Sequence, residues 1–187
     1  MHALSQSGGV KARFRESRQL TILSEPIESS GMLYFAPPDW LARHVTKPGV
    51  ARVIVAENRV SFQDESGTQI LDLGSSEVAR AMVGNVMVLM RGDIVALRSQ
   101  YDVGFAVDDG LWTLELEPRN RIVRQLIERL LVRGQGNRLI RMESIETNGD
   151  VTVTEFFDVK VGVEFSPEDI DSIFEVDQTE REKPASP

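Results

Sequence analysis

The sequence predicts a mainly β domain in which a meandering antiparallel sheet is interrupted by one helical segment. Turn-forming residues recur at short intervals through residues 10–73 and again through residues 102–158, as expected for short strands joined by hairpins. The runs between these turns alternate apolar and polar side chains in much of both regions, which is the period of a half-buried strand. Residues 75–91 lose this alternation and instead place apolar residues at helical spacing. These three observations predict the fold class.

Composition limits the functions that the chain can serve. Its 187 residues suit one domain with a sizeable core. The net charge of -8 argues against nucleic acid as a partner, because that affinity depends on Lys and Arg neutralising phosphates. No apolar run approaches the roughly 20 residues of a transmembrane helix. The chain has no cysteine, which excludes disulfides, thiolate metal sites and cysteine nucleophiles.

The first region is expected to form six strands. They are predicted at residues 10–23, 32–35, 40–46, 50–56, 59–63 and 68–73. Pro26 ends the first strand, and Pro37-Pro38 ends the second because a proline cannot donate to a strand ladder. Glu57-Asn58 is a tight turn between the fourth and fifth strands, which are therefore expected to form a hairpin.

The helical segment has recognisable ends. Ser75 or Ser76 can cap its start, and Arg91-Gly92 suits its end. Gly84-Asn85 leaves open a division into two short helices. The apolar residues at helical spacing are Val78, Met82, Val86 and Leu89 or Met90. A further helical turn is expected after Asp93, with Ile94, Leu97 and Tyr101 on one face. This segment is either a helix buried in the core or a helix that lies between the sheet and an exchangeable apolar ligand.

Strands resume after the helical segment. Residues 102–107 and 111–117 are expected to form a hairpin in which Trp112, Leu114 and Leu116 share one face. Residues 120–133 fit an amphipathic helix by spacing, yet a hairpin turn follows them. We therefore divide them into a helical turn near 120–126 and a strand that ends at Arg133. The remaining elements are predicted as strands at 139–146 and 151–158 and a short helical turn from Ser166.

No catalytic constellation is apparent in the sequence. The two histidines, His2 and His44, are far apart and have no cysteine with which to share a metal. Paired carboxylates such as Asp108-Asp109 fall at turns, on the polar face of a strand or at a helix start, where each has a structural explanation. We therefore expect a protein that is not an enzyme and that uses neither a cofactor nor a metal.

Several strings, in their order along the chain, resemble the LolA-like outer-membrane lipoprotein carrier family. The resemblance extends over residues 10–165. Its strings are Arg13-Phe14-Arg15-Glu16, Gly31-Met32-Leu33-Tyr34-Phe35, Pro38-Asp39-Trp40-Leu41, His44-Val45-Thr46-Lys47-Pro48, Leu111-Trp112-Thr113-Leu114-Glu115-Leu116-Glu117-Pro118 and Asn148-Gly149-Asp150.

The resemblance implies a curved, incompletely closed antiparallel β-barrel whose short helices form a lid over the concave apolar face. The lid would be residues 75–99 of a half-barrel domain at 10–165. Residues 1–9 would be a flexible N-terminus, the remnant of an N-terminal helix whose leader is absent. Residues 166–176 would form a short C-terminal turn, and the charged residues 177–187 a disordered tail.

One position departs from the family pattern. Family carriers have an arginine immediately before the proline of an R-P-x-x segment, and its hydrogen bonds hold the lid. Pro37 occupies that position here, within Ala36-Pro37-Pro38, and Arg43 does not replace it. The lid is therefore expected to be held in another way or to open more freely.

The implied function is that of a periplasmic carrier. It would bind the acyl chains of lipoproteins, or a related lipid, receive them from an inner-membrane donor complex and deliver them to an outer-membrane acceptor. The predicted lipid-binding residues are Leu33, Phe35, Met82, Val86, Leu89, Met90, Trp112, Leu114 and Leu116. Two alternatives stay open: a specialised carrier of another apolar cargo, such as a lipid-linked pigment intermediate, and a non-catalytic envelope module that binds a protein partner.

Overall fold

The computed structural model describes residues 8–175, which form one antiparallel sheet and four helices. The strands are β1 (Gly9–Gln19), β2 (Ile27–Ala36), β3 (Trp40–Lys47), β4 (Ala51–Ala56), β5 (Arg59–Asp64), β6 (Gly67–Asp72), β7 (Tyr101–Asp108), β8 (Leu111–Pro118), β9 (Ile127–Gln135), β10 (Arg138–Glu146) and β11 (Val151–Val163). The helices are α1 (Glu77–Arg91), α2 (Ile94–Gln100), α3 (Arg121–Arg124) and α4 (Pro167–Phe174).

The eleven strands follow the order β6-β5-β4-β3-β2-β1-β11-β10-β9-β8-β7. Each half of the chain is a meander of neighbouring hairpins, and the first and last strands pair at the centre. Strands β6 and β7 are the two edges of the sheet and do not pair with each other. The sheet is therefore not closed into a barrel, which confirms what the family resemblance implied.

The strand register places the apolar residues on one face of the sheet. On β1 these are Val10, Ala12 and Phe14, whose cross-strand partners on β2 are Phe35, Leu33 and Gly31. In the other half of the sheet, Leu114 and Leu116 of β8 lie opposite Val132 and Leu130 of β9. We call this the inner face because α1 packs against it from both halves of the sheet.

Helix α1 runs without a break from its cap to its end. Ser76 is the N-cap, and its side chain accepts from the backbone N–H of Ala79. The helix continues through Gly84-Asn85, so the division left open by the sequence does not occur. Gly92 ends it in the left-handed conformation (φ 61°), which glycine adopts without a steric penalty.

Two clusters hold α1 across the sheet. Met87 belongs to a buried cluster on one half of the inner face, which also includes Phe35 and Val55. The next residue, Val88, belongs to a second cluster on the other half with Leu114 and Leu116. Adjacent side chains of α1 therefore contact the two opposite halves of the inner face. The helix thus spans the hollow between these halves.

The prediction for the segment after α1 was partly wrong. Helix α2 begins after its N-cap Asp93, as expected, and buries Leu97. Tyr101 does not continue the helical face, because it is the first residue of β7. Its side chain is still fully buried and packs with Leu97 in the same cluster. The helical turn and strand expected within residues 120–133 are present as α3 and β9.

Helix α4 covers part of the outer face and is longer than the turn predicted there. Ser166 and Asp169 form a reciprocal capping box at its start. Its Phe174 is buried against Ala42 and Ile54 of the sheet. The tail predicted at residues 177–187 lies outside the described residues.

Two of the register shifts in the central strands change which side chains face inward near the cavity. The β10–β9 register shifts between Leu139 and Arg141. The β11–β1 register shifts where Lys160 and Phe157 face Lys11 and Arg13, and Asp158 between them has φ 53°. An extra residue in one strand of a pair reverses which later side chains face inward. The bulges therefore change which residues of β10 and β11 face inward.

Candidate functional site

An apolar cavity lies between α1 and the inner face of the central strands. Its volume is about 60 Å³. The lining residues are Val10, Ala12, Leu33, Leu89, Met90, Trp112, Leu114, Val132, Asn137, Leu139, Met142, Phe156, Val159 and Val161. Asn137, in the turn between β9 and β10, is the one polar side chain among them. Such a lining can hold a hydrocarbon chain but offers no obvious chemistry for a reaction.

The last turn of α1, which is part of the expected lid at residues 75–99, forms one wall of the cavity. Leu89 and Met90 line the cavity, whereas the preceding Met87 and Val88 are buried in the two flanking clusters. The anchored part of the helix therefore positions the part that faces the cavity. Any movement of α1 away from the sheet would open the cavity.

Trp112 forms a fixed part of the opposite wall. Its Nε1 donates a hydrogen bond to the carbonyl oxygen of Gly136 at 2.9 Å. The ring lies over Gly134, its cross-strand neighbour, where a Cβ atom would come within 2.1 Å of the indole. Because Gly134 has no side chain, the Trp112 ring can lie against β9 at this position.

The structure places five of the nine predicted lipid-binding residues on the cavity. They are Leu33, Leu89, Met90, Trp112 and Leu114. Phe35 and Leu116 lie on the inner face but are buried in the flanking clusters, so they hold the lid rather than line the cavity. Val86 is half-buried on α1 and does not line it. The side chain of Met82 lies outside the described part of the chain. Lipid binding by this set stays a prediction.

Sequence reasoning missed the central strands, which provide much of the cavity. Phe156 and Val159 both line it although an odd number of positions separates them, and the same holds for Leu139 and Met142. In a regular strand the members of each pair would point to opposite faces. The irregularities at Asp158 and between Leu139 and Arg141 bring them to the same face. Asp158 carried no local signal of this in the sequence.

The lid is held by an arginine of its own. Arg91, the last residue of α1, donates from Nε to the carbonyl oxygen of Pro38 at 3.0 Å and forms an ion pair with Asp39. Both acceptors lie in the turn between β2 and β3, beside the Pro37 that replaces the family arginine. These contacts join the end of α1 to the sheet, and the two expectations for the lid both stay predictions.

A polar cluster lies on the inner face beyond Phe14. The guanidinium of Arg43 lies 4.5 Å from the centre of the Phe14 ring and donates from Nη2 to Glu16 Oε1 at 2.7 Å. The same Nη2 donates to Ser29 Oγ at 3.3 Å, and Thr154 Oγ1 donates to Glu16 Oε2 at 3.0 Å. We call Glu16, Ser29, Arg43 and Thr154 the inner polar cluster.

The remaining titratable candidates have structural roles. His44 lies on the outer face with Nε2 3.0 Å from the carbonyl oxygen of Ile173, and burial lowers its pKa. Asp108-Asp109 is a hairpin turn, in which Asp109 has φ 46°. Within the described residues, no three His, Asp or Glu side chains are grouped so as to hold a metal ion. None of the described helices has the length and hydrophobicity needed to cross a membrane.

The fold and the cavity define an open antiparallel sheet that encloses an apolar site beneath a helical lid. The family model described as outer membrane lipoprotein carrier protein LolA-like matches residues 1–158, and the chain belongs to this family. A search of curated protein sequences gave no significant match.

Solved structures that match this chain have low sequence identity to it. One is a LolA superfamily protein from Nitrosomonas europaea, with 13% identity over 94% of each chain and a TM-score of 0.48. Another is a putative outer membrane lipoprotein-sorting protein domain from Vibrio parahaemolyticus, with 9% identity, 88% and 90% coverage, and a TM-score of 0.47. The Pseudomonas aeruginosa MucA/MucB complex matches with 11% identity and a TM-score of 0.50 over 89% of this chain and 56% of that one. At these identities the similarity concerns the fold alone.

Proposed function

We propose that this chain is a periplasmic carrier that binds acyl chains in the cavity beneath α1 and moves an acylated lipoprotein, or a related lipid, from the inner to the outer membrane. The observation that carries the proposal is the apolar lining of the cavity, one wall of which is the last turn of α1. Membership of the carrier family supports the same function. An inner-membrane donor and an outer-membrane acceptor are the partners that such transport requires.

The size of the cavity bears on how a carrier could release its cargo. A volume of about 60 Å³ holds on the order of five water-sized or methylene-sized groups. Each buried methylene contributes roughly 0.8 kcal/mol, so a long chain that was fully enclosed would bind very tightly. A longer chain has to displace α1, and the contacts that Met87 and Val88 then lose offset part of the gain. The net affinity is therefore moderate, as transfer to an acceptor requires.

The experiment that tests the proposal is a titration with a fluorescent fatty-acid analogue of the wild type and two lid variants. Leu89→Asp places a carboxylate against the cavity, where burying it without a partner is costly. Val95→Asp is the matched control, because Val95 is also an apolar residue of the lid helices but is 82% exposed. We expect the first variant to lose at least about tenfold in affinity, the cost of even a partly buried polar group, and the control to bind like the wild type.

Circular dichroism of each variant establishes that it is folded before the titration is interpreted. Equal affinities for the wild type and a folded Leu89→Asp variant would show that the cavity is not the binding site. Failure of the wild type to bind any acyl probe would contradict the proposed function itself.

A protein-binding role is a second candidate, favoured by the open edge of the sheet. Among the described residues, strand β7 pairs only with β8, and its Phe105 and Val107 are 53% and 61% exposed. An exposed apolar edge strand can accept a strand from a partner. A Phe105→Lys/Val107→Lys variant that bound lipid normally but no longer delivered it to an acceptor would assign this edge to the acceptor.

A further inference from the structure

The inner face of the hollow changes from apolar to polar along a single strand. The inward residues of β1 are, in order, Val10, Ala12, Phe14, Glu16 and Arg18. The first two line the apolar cavity, and Phe14 packs against the cavity residue Phe156. The polar residues begin immediately beyond Phe14. The hollow therefore has the polarity of an amphipathic molecule, with an apolar end and a polar end.

The contribution of the inner polar cluster to the free energy of folding does not explain why charged residues occupy these positions. Glu16 and Arg43 have side chains that are 21% and 29% exposed, and a partly buried ion pair gains little because both charges lose hydration. Apolar side chains at these positions would continue the core that surrounds Phe14. A paired charge that faces into an otherwise apolar hollow is instead typical of a site that recognises a polar group.

The hydrogen bonds of the cluster define what it can still bind. Both oxygens of the Glu16 carboxylate already accept, one from Arg43 and one from Thr154. The hydrogen bonds of Arg43 to described residues use only its Nη2 atom, which leaves the N–H groups on Nε and Nη1 for an acceptor. Glu16 neutralises the charge of Arg43. The cluster therefore offers donors without a net positive charge, which suits a neutral acceptor better than an anion.

We propose that the inner polar cluster is a headgroup subsite, in which Arg43 donates to the carbonyl oxygens of the ester or amide that joins an acyl chain to its headgroup. This inference rests on the proposed function, because the acyl chain would occupy the adjoining cavity. Leu33, the cross-strand partner of Arg43, lines the cavity, so the two subsites meet. The cargo class is then a neutral acyl ester or amide, such as the acylated glyceryl group of a lipoprotein or a free acylglycerol.

The test compares two lipids that differ only in the carbonyl group. These are 1-monomyristoylglycerol, which has an ester, and 1-O-tetradecylglycerol, which has an ether at the same position. Each displaces a fluorescent fatty-acid probe from the full chain. We expect the wild type to prefer the ester by about tenfold or more, as for a hydrogen bond from a charged donor. Arg43→Met should abolish this preference while the affinity for the ether changes little.

Two further variants make the comparison decisive. Arg43→Met leaves Glu16 without its partner and can destabilise the fold, so the double variant Glu16→Gln/Arg43→Met removes both charges and should also lose the preference. Arg15→Met is the control, since Arg15 lies on the outer face of the same strand and is exposed. It should keep the preference of the wild type.

The outcomes distinguish failure of the headgroup subsite from failure of acyl-chain binding in the cavity. Equal binding of ester and ether by the wild type, or a preference that survives in the double variant, would overturn the headgroup subsite and leave the carrier function standing. A stronger, Arg43-dependent binding of the corresponding acylglycerol phosphate would overturn the neutral headgroup class. Binding of neither lipid would overturn the carrier function together with the subsite.

Discussion

Trp112 shows how a glycine, which has no side chain, can position a residue of the cavity wall. The indole lies over Gly134, where a Cβ atom would come within 2.1 Å of the ring and 2.4 Å of the backbone oxygen of Arg138. The ring would have to move aside, and the Arg138 oxygen can give way only if the backbone of the β9–β10 hairpin shifts. The close approach, rather than a special backbone angle, is what requires glycine here.

Gly134→Ala is therefore expected to displace Trp112 and to destabilise the fold by about 1–3 kcal/mol, as overpacking does. Urea unfolding followed by tryptophan emission measures both effects. Gly84→Ala is the control. A Cβ at this position meets no described atom within 4 Å, and alanine is a better helix former than the glycine that it replaces. That change should be neutral or stabilise by up to about 1 kcal/mol. Unchanged stability and emission in the Gly134 variant would contradict this account of the cavity wall.

Asp150 joins two turns at one end of the sheet. Its Oδ1 accepts from the backbone N–H of Thr21 at 2.8 Å and from the hydroxyl of Thr21 at 3.1 Å. The Asn148 amide donates to the other oxygen at 3.0 Å. These hydrogen bonds, led by the Thr21 N–H, favour the carboxylate and lower the pKa of Asp150.

A carboxyl group whose folded pKa lies below its unfolded value stabilises the fold above the unfolded pKa, and this contribution is lost as the pH falls through the folded pKa. We therefore expect the Tm difference between the wild type and Asp150→Asn to be largest near neutral pH and to shrink below about pH 4, the ordinary value for aspartate. Thermal melts at a series of pH values measure it. A difference that is constant with pH would contradict the linkage.

At the scale of the elements, buried apolar contacts hold α1 strongly, and an exposed ion pair at its end holds it only weakly. Met87 and Val88 are nearly fully buried in two clusters, which is where most of the free energy that holds the lid arises. The Arg91–Asp39 pair is 42% and 56% exposed, and exposed ion pairs contribute about 0–1 kcal/mol. The pair therefore contributes less to the packing of α1 on the sheet than the two buried clusters do.

Arg91→Met should increase the rate of hydrogen exchange in the last turns of α1 by about twofold to fivefold, the factors that correspond to about 0.4–1 kcal/mol. Exchange followed by mass spectrometry of peptides from residues 77–92 measures it. Arg80→Met is the control, because Arg80 is also an exposed arginine of α1. Exchange in α1 that is the same in wild type and Arg91→Met would show that the arginine does not hold the lid.

The elements also show how far the sequence could predict the structure. Turn residues and alternation located the strands, and the change of period located α1 with its cap at Ser76. The bulge at Asp158 could not be predicted, because it depends on how β11 pairs with β1, 140 or more residues away in the chain. The position of Arg91 near Pro38 is likewise a tertiary contact without a local pattern. Both omissions concern the cavity and its lid.

At the scale of the whole molecule, the open sheet is what makes the site accessible. A small closed barrel of about eight strands has an interior that side chains fill or that admits one small ligand. Here the central strands β1, β10 and β11 face a hollow that α1 covers from the opposite side. The lid contacts both halves of the sheet, so cargo that lifts the helix changes its contacts with both. In the proposed function, binding and release would therefore both act through α1.

Native mass spectrometry of the purified chain, followed by organic extraction and lipid analysis, tests the central claim most directly. We predict an adduct with the mass of an acyl lipid on the wild type, absent from a folded Leu89→Asp variant and retained by Val95→Asp. An adduct-free wild type that also takes up no added fatty acid would contradict the account. The cavity beneath α1 would then be part of an ordinary core, and the open edge at β7 would become the leading candidate for the functional surface.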